Sequence, residues 1–384
     1  MARGNAVPDN NMQNHGVHFA ESVKYTLGVE IELQILDKTS WDLSPVAPTL
    51  FENAPSLLSP RLSPEFIQSI LEVQTGICFT VEDVENDLMQ IVSMAQELAE
   101  DNDCRLFSAS LHPFALHNKQ RLTSDSRYER IMDELQIVGR RFISQGFHVH
   151  VGVADGDTAV KVCNRIQAFL PLLLALSCSS PFSEGVDTGL MSYRTKLFEA
   201  LPLAGIYSYI DGWQGLEKEI AGLRRAGVIH SLKDLWWDTR PSPEFGTVEI
   251  RICDLPLRFN DILAITGVIQ ALVATIAEDD DDSKPLNYSL LQSNKWQAAR
   301  HGLDGQFVDP SGCLGSSKIP FREAVKRLLA IVDPMTRRLG SYHYVEGVNR
   351  ILRSGTGSDA LRKKYNTVHN LKSVIESIQG EFWK

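Results

Sequence analysis

The chain has no dense block of lysine and arginine, and its formal net charge is -10 with a pI near 5.5. It therefore lacks the electrostatic footprint of a nucleic-acid or anionic-membrane binder, and phosphate-bearing partners must be small or be met through metal ions. Cys-x-x-Cys is also missing: Cys78, Cys104, Cys163, Cys178, Cys253 and Cys313 are scattered, without the spacing of a zinc site or redox pair. They read as reduced thiols of the cytoplasm. No apolar run approaches the ~20 residues of a membrane span; the longest, 168–176, is about half that and contains Pro171. The first twenty residues are polar and show no secretory signal. Gly-x-x-x-x-Gly-Lys-Ser/Thr does not occur, which excludes a P-loop nucleotide site.

What is present suits a globular cytoplasmic protein: 43% of 384 residues are hydrophobic and 22% charged, enough for a large core. Residues 1–21 have too little apolar content to fold alone, so a disordered lead-in is expected there, with residues 22–384 as one domain whose ordered chain starts near Lys24. The run Glu278-Asp279-Asp280-Asp281-Asp282 reads as a solvated loop, with metal binding a remote alternative. Apolar spacing predicts a helix over 81–100, where Val84, Leu88, Ile91, Val92 and Ala95 share a stripe and Thr80 caps with Asp83. Further helices are expected over 127–140, 158–176, 261–277 and 320–338 and near the C-terminus. Between them lie strands that alternate polar with apolar, as in an antiparallel sheet with one covered face. The fold class read from this pattern is α+β.

Three strands carry charge on a single face. Glu30, Glu32 and Gln34 alternate with Val29, Ile31, Leu33 and Ile35; His148 and His150 alternate with Phe147, Val149 and Val151; Glu249 and Arg251 alternate with Val248, Ile250 and Ile252. One such strand is ordinarily just a solvated face. Three together are different, because carboxylates about 7 Å apart on one face repel unless a cation neutralises them. Oxygen ligands with an occasional imidazole suit Mg²⁺ or Mn²⁺, whereas zinc would call for cysteine or a third histidine. Glu65 and Glu72 stand seven residues apart, two turns on one face if that segment is helical. An acidic face with two or three divalent ions and an arginine in the same row is what phosphoryl transfer from a nucleotide requires.

Several stretches resemble the glutamate-cysteine ligase family, in its bacterial carboxylate-amine ligase branch within the glutamine-synthetase-like superfamily. They are Tyr25-Thr-Leu-Gly-Val-Glu-Ile-Glu-Leu33, Leu71-Glu-Val-Gln-Thr-Gly76, Leu111-His-Pro-Phe114, Phe147-His-Val-His-Val-Gly-Val153, Ser179-Ser-Pro-Phe182 with Ser192-Tyr-Arg194, Trp236-Trp-Asp-Thr-Arg-Pro241 with Phe245-Gly-Thr-Val-Glu-Ile-Arg251, and Asn294-Lys-Trp-Gln-Ala-Ala-Arg300. The resemblance implies a curved antiparallel sheet, a half-barrel flanked by helices. Its concave face would bind ATP and two or three Mg²⁺ ions, with Mn²⁺ as a substitute. The implied reaction joins glutamate to cysteine through a γ-glutamyl phosphate, giving γ-glutamylcysteine, ADP and phosphate.

Carried over by position, Glu30, Glu32, Glu72 and Glu249 are implied metal ligands, with Glu65 beside them, and His148 is a ligand or a phosphate contact. Arg251 faces the γ-phosphate and His150 takes either role, so that Arg251, Glu249 and His150 form the catalytic set. Tyr193 and Arg194 stand as substrate contacts. Arg194 and Arg240 read equally as carboxylate clamps or as structural ion pairs, and Asn294 and Arg300 as nucleotide contacts or as capping and packing groups. The sequence departs from the family at Ser183-Glu-Gly-Val186, at Leu190 and in Gly355-Thr-Gly-Ser-Asp359, which touches the substrate pocket and leaves the metal machinery whole. A different amine acceptor, or a silent homologue that keeps the fold, are the alternatives. Small-molecule partners follow, namely an amino acid, an amine and ATP, and homo-oligomer formation is left open.

Overall fold

Alternation of apolar and polar residues produces the central element of the fold, a long strand with one face committed to the core. The computed structural model describes residues 17–280, 284–315 and 317–384. Its main sheet has seven strands: β1 (Leu27–Asp37), β2 (Leu62–Pro64), β3 (Ile70–Gln74), β4 (Cys104–Phe107), β5 (Phe147–Gly152), β6 (Thr239–Ser242) and β7 (Thr247–Ile250). The order is β2-β3-β1-β5-β7-β6, with β4 on the far end of β1, and every pairing is antiparallel. The sheet is open and helices cover one face, so the expected α+β class with an antiparallel sheet is what the chain adopts.

The apolar half of each strand, including Val29, Ile31, Leu33, Phe147, Val149, Val151, Val248 and Ile250, is buried in a core shared with helices Val81–Asp101, Gly156–Ile166 and Phe259–Glu278. The first of these begins where expected: Thr80 Oγ1 accepts from the Asp83 amide at 3.1 Å, and Asp83 Oδ2 accepts from the Thr80 amide at 2.9 Å. Phe259–Glu278 is long and apolar enough to cross a membrane, yet 89% of its apolar window is buried inside the fold.

Several expectations are corrected. The helix foreseen over 127–140 is two, Ser126–Leu135 and Ile137–Arg140, separated by Gln136 at φ 49, where a left-handed residue ends the first. The helix over 158–176 breaks into Gly156–Ile166 and Leu170–Ser177, bent by 67°; Pro171 has no amide hydrogen and sits in the first turn of the second piece. Glu65 and Glu72 are not on a helix: Glu72 lies on β3 and Glu65 follows β2 directly. The chain is in place seven residues before Lys24. Val17 and Phe19 pack against the core and the Ala20 amide donates to the Pro243 carbonyl at 2.8 Å, because two apolar side chains suffice when a built surface receives them. Residues 1–16 of the expected lead-in, like Asp281 and Asp282 of the acidic run, lie outside the described residues. Of that run, Glu278 pairs with Arg338 and Asp279 with Arg165.

Candidate active site: an acidic sheet face over a cavity

Antiparallel register brings the polar halves of six strands into rows. Glu32 stands beside Glu72, which faces Ser63; Glu30 stands between Gln74 and His148; His150 faces Glu249, which faces Arg240. Since Val149 pairs with Ile250, Arg251 continues the row of His148. These rows floor a cavity of about 670 Å³ lined by Glu30, Glu32, Glu65, Glu72, His148, His150, Arg240, Glu249 and Arg251. The eight expected residues of the acidic and phosphate-facing set therefore meet in one space, with Arg240 beside them. Glu65 joins through strand pairing instead of helical spacing, across the β2–β3 ladder.

The two ends of this floor differ in charge balance. At one end Glu249 Oε2 accepts from Arg240 Nε at 3.1 Å and Nη2 at 2.7 Å, while its Oε1 accepts from Arg251 Nη1. Burial pushes the Glu249 carboxyl up, but the two guanidiniums outweigh it and hold the group well below the ordinary carboxylate range. Arg240 Nη1 also donates to the carbonyls of Leu232 and Leu235 at 3.0 and 3.1 Å, so its hydrogen bonds are spent on the protein. The structure thus makes Arg240 an anchor for Glu249, the structural alternative to a substrate clamp. Arg251 keeps its Nε buried without a partner among the described residues.

At the other end Glu32, Glu65 and Glu72 crowd together with no arginine bonded to them among the described residues. Burial, then the charges of Glu65, Glu30 and Glu32, raise Glu72 well above its usual value; burial and Glu32 push Glu65 up to about 8. Glu32 Oε2 accepts from the Gly146 amide at 2.5 Å. Gly146 is required there, since a Cβ would come 2.6 Å from His148 Nε2 and 2.8 Å from Arg194 Nη2. In the middle, His148 Nδ1 lies 3.4 Å from Glu30 Oε2, and burial of Glu30 is outweighed by the two histidines, which lower its carboxyl. His150 Nδ1 is held by Thr247 Oγ1 at 2.8 Å, leaving Nε2 3.6 Å from Glu30.

This donor set fits a divalent cation. One oxygen or nitrogen from each of Glu30, His148 and Glu249 lies within 4.8 Å of the others, and the same holds for Glu32, Glu72 and His148. His148 Nε2 is buried, 3.9 Å from Glu32 Oε1 and without a hydrogen-bond partner among the described residues, and a cation is the group that would both use it and relieve the raised carboxylates.

Four expected contacts lie elsewhere. Arg194 is buried behind the wall, donating to the carbonyls of Arg251 and Ile252 at 3.4 Å and lying over the Phe198 ring at 4.8 Å. Tyr193 lines a separate cavity of about 210 Å³ with His117, Arg141, Ser183 and Glu184. Asn294 exchanges two hydrogen bonds with the Val308 peptide, at 2.7 and 3.1 Å, and Arg300 donates to the Gly189 carbonyl at the surface. None of the four lines the larger cavity, and the backbone already accepts from Arg194 Nη1 and Nη2 and from Arg300 and exchanges bonds with Asn294. Sequence reading missed the rest of the cavity wall: Tyr128 opposite Glu65, the cations Arg127, Arg224 and Lys233, and Val17 and His18. The cations stand singly in loops and helices, and no spacing in the sequence marks them.

A model of the glutamate-cysteine ligase family 2 matches residues 26–377. A protein of Gloeobacter violaceus named "Putative glutamate--cysteine ligase 2" is 37% identical over 370 residues, covering 95% of this chain and 98% of that protein. One of Solibacter usitatus with the same name is 35% identical, covering 91% of each. Among solved structures, the glutamate-cysteine ligase of Francisella tularensis in complex with AMP superposes with a TM-score of 0.69 at 15% identity, covering 94% of this chain and 89% of that one, a likeness of fold.

Proposed function

This chain belongs to glutamate-cysteine ligase family 2, and from that premise we propose that it is an ATP-dependent carboxylate-amine ligase of the cytoplasm. Glutamate and cysteine are the favoured substrates, giving γ-glutamylcysteine, ADP and phosphate. The observation that carries the reading is the convergence of Glu30, Glu32, Glu72, His148, Glu249 and Arg251 in one cavity. AMP in the Francisella ligase is in keeping with a nucleotide there.

Glu30, Glu32, Glu72 and His148 would hold the divalent ions, with Glu249 at the edge of the set. When bound, such ions supply neutralisation of the phosphate oxygens as charge shifts between them. The side-chain carboxylate of the acid attacks the γ-phosphorus, the bond to the β-phosphate oxygen breaks and ADP leaves. The amine nitrogen then attacks the acyl carbon, phosphate departs with the carbon–oxygen electron pair, and the nitrogen gives up a proton. Arg251, kept in place by Glu249, donates to the phosphoryl oxygens in both steps. Arg240 fixes Glu249, and Thr247 fixes the ring of His150 beside Glu30.

A second reading keeps this chemistry and changes the amine. It is favoured by Ser183 and Glu184, which depart from the family and line the smaller cavity, where Glu184 is bound to His117. Incubation with ATP, Mg²⁺, glutamate and a panel of amines, followed by product mass and ADP release, decides between them. The γ-glutamylcysteine mass with stoichiometric ADP is expected; preference for another amine favours the second reading, and no ADP release with any pair overturns both.

A further inference from the structure

The family model begins at residue 26, yet the cavity is also walled by Val17 and His18. Their placement is built into the fold. The Ala20 amide donates to the Pro243 carbonyl at 2.8 Å, and Phe19 packs edge-on against Trp213 at 5.3 Å. Two glycines clear the path: a Cβ on Gly246, at φ +65, would strike the Ala20 carbonyl, and one on Gly152 would strike that of Val23. The turn between β6 and β7 therefore receives this segment as a fixed strap.

Thr26 pairs with Gly152 at the start of β1, and Glu32 is six residues along that strand, about 20 Å away. Glu32, Glu72 and His148, which suit metal-bound phosphates, occupy the farther rows, and Glu249 with His150 the nearer one. Towards the strap the lining includes Phe245, Pro241 and Pro243, and Phe245, set edge-to-face with His150 at 5.7 Å, is still 57% exposed at the cavity. Flat heterocycles are held by such surfaces through stacking, while phosphates are not.

We propose that residues 17–23 form the outer wall of the nucleotide cavity and that Val17 and His18 are specificity-determining residues for the purine base of the bound nucleoside triphosphate. The inference rests on the nucleotide reading above and adds to it a segment that precedes the matched family region. His18 stands at the mouth, exposed, where its ring can close over a base lying on Phe245.

Titration calorimetry with the magnesium complexes of ATP, GTP and inorganic tripolyphosphate tests it, on the full chain and on the double variant Val17→Gly with His18→Ala. Loss of one stacking wall should weaken ATP binding roughly tenfold and bring the ATP and GTP affinities together, while tripolyphosphate, which has no base, binds as before. An unchanged ATP affinity and ATP-to-GTP ratio overturns the inference, and so does an equal loss for tripolyphosphate. The single variant His18→Ala, at an exposed position, gives the same decision in case the double variant does not fold. A full chain that binds none of the three overturns the nucleotide reading and this inference together; binding by the full chain that both variants keep overturns only the inference.

Discussion

The two ends of the acidic floor hold the same residue type under opposite conditions. Glu249 is embraced by two guanidiniums and is held ionised; Glu72, a short way across the same sheet, is buried among carboxylates and pushed towards its neutral form. One end is complete as the chain folds, and the other lacks its positive partner. On the proposed function, an external cation would sit at Glu32, Glu72 and His148, where folding leaves charge unresolved, sooner than at Glu249, whose two oxygens already accept from arginine.

Variants at the two ends should respond in opposite ways. The largest effect is expected from Arg251→Ala, which removes the donor aimed at the transferred group; kcat should fall by about 10²–10³-fold in a coupled ADP assay, with the protein still folded. Glu249→Gln leaves two buried guanidiniums without their carboxylate and should lower stability by roughly 3 kcal/mol in denaturant melts. Glu72→Gln should do the reverse for the metal-free protein, raising its melting temperature by relief of repulsion, while cutting Mn²⁺ affinity by about 10–100-fold in calorimetry. A metal-free Glu72→Gln protein less stable than the parent would break the comparison.

The pH response sharpens it further. Glu65 is raised from 4.5 to about 8 in the folded chain, and Glu72 is raised too, so between those values the folded state binds more protons than the unfolded one. Stability from this end is full below pH 4.5 and is lost as pH rises towards 8. Glu249 has the opposite sign: its contribution is present above 4.5 and is lost as pH falls below it. Melting of chelator-treated protein across that range should therefore show a decline with rising pH that Mg²⁺ suppresses and Glu65→Gln reduces. The smallest effect is expected at Arg300→Ala, within about 0.5 kcal/mol in stability and with unchanged ATP turnover, because its guanidinium meets only the Gly189 carbonyl at the surface.

The floor of the site was legible because alternation in a strand fixes which side chains share a face: Glu30 with Glu32, His148 with His150, Glu249 with Arg251 all follow from a period of two. Strand neighbours were not legible, since long-range pairing is set by how the whole sheet packs. Spacing misled at Glu65 and Glu72, where seven residues fit two helical turns as well as a turn between short strands. Arg194 does not line the larger cavity, although its guanidinium lies close to His148, because it is turned to the carbonyls of Arg251 and Ile252, and no spacing in the sequence shows that direction. Arg240 could be placed beside Glu249 only with coordinates, because cross-strand partners on β6 and β7 are a matter of register. Val17 and His18 escaped because a polar segment carries no periodic signal, however firmly a groove elsewhere receives it.

The Phe259–Glu278 helix has a consequence during synthesis. It packs on Phe321–Arg338 and Tyr342–Val345, both downstream of it. Helices Gly156–Ile166 and Val81–Asp101, already made, cover other sides of it, so a product that stops short of residue 321 leaves one side of this apolar rod open, a recognition element for chaperones and a seed of aggregation.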